Sequence, residues 1–201
     1  MGNICTLTSD ASDLLPYMEI LRPAIKNSLF DSIPEIRASA AKALGSLARG
    51  LGIANSEELF VWLSEHLMSE SLNSAERQGA AQGFAEMISV HGVAFFEENI
   101  DKVIVKCKNK NPKIRESYRG IMVFLPASFD KFVEYLPKLV PIMIEGLADD
   151  VDEVRKVSMR NVKICIKQFG QKAPMQIVAP VLSEMFSEDF RVRHSASSLM
   201  Y

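Results

Sequence analysis

Apolar residues recur at three- and four-residue steps along most of the chain, and no run alternates with period two for long enough to make a strand. The pattern predicts paired helices. One set covers roughly 15–29, 57–68, 95–107, 132–147 and 175–186, and the other roughly 34–49, 75–91, 112–124, 151–169 and 190 onward. Prolines at 16, 23, 137, 141, 174 and 180 interrupt the first set and predict bent or late-starting helices there.

The second set repeats a motif. An aliphatic–arginine step recurs as Ile36-Arg37, Ile114-Arg115, Val154-Arg155 and Val192-Arg193, with Glu76-Arg77 in the same slot, and the arginines lie 40, 38, 40 and 38 residues apart. Six residues before each arginine stands Asp31, Ser71, Asn109, Asp149 or Ser187, a side chain able to accept from free N–H groups at a helix start. Pro34 and Pro112 sit where a first turn tolerates a missing N–H. Two residues after each arginine come Ser39, Gly79, Ser117, Val157 and Ser195, mostly small. Seven after come Leu44, Phe84, Met122, Val162 and Met200, all apolar and placed to fill a seam.

A period of about 40 residues built from two helices marks repeats of the HEAT and armadillo kind. Each hairpin is too thin to bury its own apolar face and needs neighbours on which to stack. The expected fold is all-α, a right-handed solenoid of about five hairpins forming a single array over 1–201, with units near 14–50, 56–91, 94–125, 129–169 and 173–201. The final unit stops about nine residues past its arginine on an apolar note, Leu199-Met200-Tyr201, which predicts a piece of a longer array. The first 13 residues read as a connector or the tail of a preceding unit.

Composition adds exclusions. With 201 residues, 48% hydrophobic and 24% charged, the chain is neither disordered nor dependent on disulfides for a core. Its net charge of −2 carries no whole-chain signal for nucleic acid. The longest charge-free stretch, Ala173 to Ser183, is far below the ~20 apolar residues of a membrane span. Met1 to Ser9 lacks the basic and apolar regions of a secretory signal, so a reducing, cytoplasmic setting is expected.

No catalytic or cofactor-binding constellation emerges. His66, His91 and His194 show no metal spacing, and Cys5, Cys107 and Cys165 lie too far apart for paired-thiol chemistry. His91, before Gly92, reads as a helix-end residue at the negative dipole terminus, and Cys107 and Cys165 as small core residues. Gly79-Ala-Ala-Gln-Gly83 lacks a Walker lysine and falls inside a predicted helix, where close helix packing explains it. Trp62 reads as a core or ridge residue of a first helix. Asp149-Asp150 and Glu57-Glu58 stand at helix starts, where carboxylates complement the dipole. The expectation is a non-enzyme with no cofactor, metal, membrane or small-molecule substrate.

Charge is segmented along the chain. From Lys102 to Arg119 the net is +6, from Arg155 to Lys172 again +6, and the remainder carries −14. Lys156, Arg160, Lys163 and Lys167 step by four, three and four, one face of one helix. Lys106, Lys108, Lys110, Lys113 and Arg119 form a second cluster. These nine are the candidate partner-binding residues, for a phosphate or acidic protein surface; an ordinary solvated face is the other reading. Few aromatics accompany them, against single-strand stacking. The repeated arginines Arg37, Arg77, Arg115, Arg155 and Arg193, with Asp31, Asn109 and Asp149, are expected to form a structural ladder of charge-assisted hydrogen bonds between repeats.

Several strings occur in order: Gly2-Asn-Ile-Cys-Thr-Leu-Thr8, Asp13-Leu-Leu-Pro-Tyr17, Ile33-Pro-Glu-Ile-Arg-Ala-Ser-Ala-Ala-Lys-Ala-Leu-Gly45, Glu76-Arg-Gln-Gly-Ala-Ala-Gln-Gly83, Leu125-Pro-Ala-Ser-Phe129 and Gly146-Leu-Ala-Asp149. Over nearly the whole chain they resemble the Gcn-one family of translational regulators. The resemblance implies a very large, cytoplasmic, ribosome-associated HEAT scaffold. It further implies binding to the starvation-sensing kinase through that kinase's RWD domain, which promotes phosphorylation of initiation factor two alpha, and a contact with ribosomal RNA. The fourth unit departs from the family pattern with Lys156-Val-Ser-Met-Arg-Asn-Val-Lys163, so the basic stripe is particular to this chain. No family kinase-binding residue matches a numbered position. Rival readings are the HEAT region of an elongation factor three, a phosphatase scaffold, and a nuclear transport carrier, whose acidic rows have the opposite sign.

Overall fold

The computed structural model describes residues 15–127 and 132–200; the first 14 residues with Cys5, residues 128–131 and Tyr201 lie outside the described residues. Every regular element among the described residues is helical, as the periodicity predicts. The helices are α1 (Met18–Leu29), α2 (Pro34–Leu67), α3 (Ser74–Cys107), α4 (Pro112–Phe124), α5 (Leu136–Glu145), α6 (Asp152–Phe169), α7 (Pro174–Glu184) and α8 (Phe190–Leu199). Short 3-10 turns cover Leu15–Tyr17, Leu125–Ala127, Phe132–Tyr135 and Gly146–Ala148.

Two joints differ from expectation. Connectors of several residues were expected near 50–56 and 92–94, but α2 and α3 each carry a second helix straight into the next first helix through one glycine. Gly52 (φ 75°, ψ 168°) and Gly92 (φ 85°, ψ −172°) break the helical path in a backbone region that is essentially glycine-only. One such residue redirects the chain, so no loop is needed.

Helix starts are set by two layers of short polar side chains. Asp31, Asn109 and Asp149 are not the capping residues themselves; each accepts from the backbone N–H two residues on, at Ile33 (2.8 Å), Asn111 (2.8 Å) and Val151 (3.0 Å), closing a turn just before the helix. The residues so placed are the N-caps of α2, α4 and α6. Asn111 then accepts from Lys113 N–H and Asp189 from Arg191 N–H, while Asn73 and Glu76 exchange reciprocal bonds at the start of α3. Prolines act as their positions require: Pro34, Pro112, Pro137 and Pro174 occupy first turns, and Pro23, Pro141 and Pro180 lie inside α1, α5 and α7.

The chain divides into two compact units, Met1–Asp101 and Lys102–Tyr201. In the first, Ile25, Leu29, Leu44, Leu63, Phe84 and Met87 are buried, each contributing about 1.5–3 kcal/mol. Gly79 lies so close to α1 that a Cβ there would collide with the Leu29 carbonyl, which accounts for the glycine-rich string inside α3. In the second unit, α4 packs along α6, while α5 lies against α6 and α7 and α7 against α8. Ile121, Met122, Leu139, Met143, Val162, Ile177 and Val181 fill the space between them. Nine of the 13 residues of α4 are buried, so that helix offers almost no open face.

Candidate partner-binding surface

The repeated arginine occupies the first turn or so of its helix and reaches back. Arg37 Nη1 donates to the carbonyls of Asp31 (2.8 Å) and Ser32 (2.9 Å), Arg115 Nη1 to those of Asn109 (2.9 Å) and Lys110 (3.0 Å), and Arg193 Nη1 to those of Ser187 (2.6 Å) and Glu188 (2.8 Å). Arg155 donates to the carbonyl of Asp149 at 2.6 Å, and Arg77 to that of Leu72. The acceptor in each hairpin is therefore main chain. The side chains of Asp31, Asn109 and Asp149 are already occupied closing the turn, so there the guanidinium takes the carbonyls the turn leaves exposed.

Links between hairpins are fewer. Arg37 Nη2 donates to Gln78 Oε1 at 3.2 Å, and Arg115 grips Asp149 through Nε–Oδ2 (2.7 Å) and Nη2–Oδ1 (2.8 Å). Burial alone would raise the Asp149 carboxyl, but the Arg115 hydrogen bonds, the Val151 N–H and the nearby positive charge outweigh it and hold it below the usual range. Arg155 ends on Asp152 of its own helix at 3.2 Å.

The four residues of the predicted stripe all lie on the exposed side of α6, opposite Val154, Ser158, Asn161, Val162 and Cys165. With Met159 and Ile164, Lys156, Arg160, Lys163 and Lys167 line a shallow groove of about 510 Å3. Lys156 is held by Asp152 one turn earlier (Nζ–Oδ2 2.5 Å), and the Arg160 guanidinium lies 5.7 Å from the Phe124 ring centre. Spaced by 1.5 Å per residue, the four cations run along about 16 Å of helix.

The other cluster does not join this groove. Lys106 is half-buried at the end of α3, Lys110 and Lys113 are exposed before and at the start of α4, and Lys108 pairs with Glu145 (Nζ–Oε2 3.1 Å). Arg119 has to be removed from the candidate surface, because only 2% of it is exposed. Its Nη1 donates to the Ile142 carbonyl, its Nε meets no acceptor, and burial lowers its pKa. The signal was present in the sequence: after Arg119 the helix reads Gly-Ile-Met-Val-Phe with no polar side, the mark of a helix enclosed all round.

The remaining candidates sit in packing roles. Burial pushes the Cys107 and Cys165 thiols up to about 12. His66 Nδ1 lies 2.8 Å from the Trp62 carbonyl, and Trp62 packs on Phe30 with Lys26 Nζ 4.5 Å from its ring centre. His91 Nε2 lies 3.2 Å from Ser56 Oγ, and burial lowers its pKa, so desolvation outweighs the expected attraction of the helix end for its charge. His194 is exposed on α8. Among the described residues no group of three His, Cys, Asp or Glu side chains could hold a metal ion, and no helix is long and apolar enough to cross a membrane.

A HEAT repeat model matches residues 21–51. The chain is 39% identical over 201 residues to the eIF-2-alpha kinase activator GCN1 of Dictyostelium discoideum, which covers 99% of this chain and 7% of that protein. It is 33% identical to the stalled ribosome sensor GCN1 of Homo sapiens over 100% of this chain and 8% of that protein. To the eIF-2-alpha kinase activator GCN1 of Saccharomyces cerevisiae it is 32% identical over 99% and 7%. The resemblance seen in the ordered strings thus holds over nearly the full chain, which spans less than a tenth of the length of these relatives. Among solved structures, a designed armadillo repeat protein has a TM-score of 0.44 over 99% of this chain and 88% of that one, at 12% identity. The chain is a helical repeat scaffold.

Proposed function

We propose that this chain is a docking segment of a GCN1-type translational regulator, a non-catalytic stretch of a longer cytoplasmic HEAT array. In this reading its hairpins, near 14–50, 56–91, 94–125, 129–169 and 173–201, continue into neighbouring repeats. The array meets the ribosome and binds the starvation-sensing kinase through that kinase's RWD domain, which promotes phosphorylation of initiation factor two alpha. Similarity over 99% of the chain to a protein described as an eIF-2-alpha kinase activator, and over 100% to one described as a stalled ribosome sensor, supports this reading. No kinase-contacting residue is assigned.

The observation that carries the reading is the stripe on α6. Four exposed cations in line, in a chain whose remainder is acidic, concentrate positive potential on one helix face. A row of phosphates or carboxylates laid along about 16 Å of helix engages them together. Phosphate contact releases counterions, so binding through it falls steeply with salt. Lys110 and Lys113, exposed beside α4, add charge in the same unit.

The test is ribosome co-sedimentation of the full regulator carrying Lys156→Glu, Arg160→Glu, Lys163→Glu and Lys167→Glu. At low salt the variant is expected to pellet about tenfold less efficiently than the parent, with a shallower salt dependence. Unchanged pelleting and an unchanged salt slope would remove the stripe from ribosome binding.

A further inference from the structure

A second groove, of about 590 Å3, lies in the C-terminal unit between α5 and α7. Its volume is within the roughly 300–1,000 Å3 of ligand-binding clefts. The walls are apolar: Val140 and Ile144 come from α5, Met175 from α7 and Val192 from α8. Met175, on its rim, is 79% exposed.

Its polar groups are almost all acceptors. Proline has no N–H, so Pro141 leaves the carbonyl of Pro137 without the donor an unbroken helix supplies, and Pro180 does the same to the carbonyl of Gln176. All four of these residues line the groove, two from each of the facing helices. Glu145 and Glu184 stand at the ends of α5 and α7 and add two carboxylates. Glu145 is engaged by Lys108 at 3.1 Å with both side chains about half exposed, which shows that a lysine ammonium reaches this carboxylate. Among the described residues no Lys or Arg lines the groove, and the side-chain donor there is the Gln176 amide.

We propose that the α5–α7 groove is a docking site for an apolar peptide segment of a partner protein that carries lysine or arginine beside its aliphatic residues. Aliphatic side chains of the segment fill the space over Val140 and Ile144. Its N–H groups meet the two carbonyls that the prolines leave open, and its cations reach Glu145 and Glu184. This site differs from the α6 stripe in sign and in position, and it stands whether or not the stripe binds ribosomes. An acidic segment meets like charge at Glu184 and would have to compete with Glu145 for Lys108.

Binding of two fluorescein-labelled heptapeptides, one alternating leucine with lysine and one alternating leucine with glutamate, to the 201-residue chain tests the proposal. Anisotropy reads affinity, and methyl NMR reads the place. The lysine peptide is expected to bind and to shift the methyls of Val140, Ile144 and Val192. Glu145→Lys with Glu184→Lys should weaken it at least tenfold, and charge reversal of the α6 stripe should leave it unchanged. Pro141→Ala with Pro180→Ala supplies the missing amides, so that variant should melt no lower than the parent yet bind about fivefold more weakly. Equal binding of the glutamate peptide, shifts confined to other methyls, or no binding would overturn the proposal. So would methyl shifts in the groove that track protein concentration without peptide, since a second copy would then be the occupant.

Discussion

Arg115 and Asp149, 34 residues apart, form a two-point ion pair at 2.7 and 2.8 Å, with 17% and 9% of their side chains exposed. Each partner is also committed elsewhere: Arg115 to the Asn109 and Lys110 carbonyls, Asp149 to the Val151 N–H. One pair therefore locks the turn before α4, the turn before α6 and the packing between the two helices. The partner of Arg115 in the next hairpin is thus a carboxylate, where that of Arg37 is the Gln78 amide.

Removing one partner leaves the other charge poorly solvated. Asp149→Ala is expected to cost about 3 kcal/mol, and Arg115→Met a similar amount, read from urea unfolding midpoints. The pair also has a pH signature. The folded-state pKa of Asp149 lies below its ordinary 3.8, so its stabilisation is complete above that value and is lost as pH falls through the lowered one. Asp149→Asn should flatten the acid limb of the stability profile; an unaltered limb contradicts the pairing.

The two joints between helices depend on glycine for backbone reasons alone. A Cβ at Gly52 or Gly92 would meet nothing within 4 Å, so any cost of adding one comes from φ of 75° and 85°. Gly52→Ala and Gly92→Ala should each destabilise by about 1–3 kcal/mol without a change in helix content. Circular dichroism with denaturant melts checks this. A neutral result at either site would mean that the joint is held by its neighbours.

The helical period, the arginine column and the small-residue packing string were legible because each is written in residue type and spacing. What the arginines bond to was legible only at Arg115, which meets Asp149 of the next hairpin. The shared acceptors are main-chain carbonyls of the preceding turn, and a carbonyl has the same identity at every position. Asp31, Asn109 and Asp149 were recognisable as helix-start signals but displaced by two residues, since a turn-closing acceptor and a capping acceptor are the same chemical type. The stripe on α6 was legible from its four-three-four steps. Arg119 reads as a surface cation by charge and spacing alone, yet its helix keeps almost no open face and encloses it. The α5–α7 groove was invisible, for Pro141 and Pro180 lie 39 residues apart and become neighbours only when the hairpins pack.

His91 should make the chain sensitive to mild acid. Its ring packs against Phe95 with centroids 4.8 Å apart, its Nδ1 is buried without a partner, and burial holds its pKa below 6.5. Above pH 6.5 both folded and unfolded chains keep it neutral. Below that, the unfolded chain takes up a proton first, so stability falls until the folded-state pKa is reached and is constant thereafter. Urea midpoints measured from pH 8 to pH 5 should decline in the parent and decline less in His91→Gln. Identical slopes would exclude His91 as the source.

Arg119 and Gly146 constrain each other. A Cβ on Gly146 would run into the Arg119 guanidinium and Ser158 Oγ, both buried and unable to swing into solvent. Gly146→Ala is therefore expected to destabilise by about 2–3 kcal/mol through overpacking. Arg119→Met behaves differently. It removes a buried charge whose Nε has no acceptor, and the Ile142 carbonyl keeps the Gly146 N–H as a donor. Replacing such a charge with an apolar side chain of similar length should leave stability within about 1 kcal/mol of the parent. The double variant then separates the two contacts: if the guanidinium is the main obstacle, Gly146→Ala costs at least 1 kcal/mol less in the Arg119→Met background than in the parent. Strict additivity would instead assign the whole clash to Ser158.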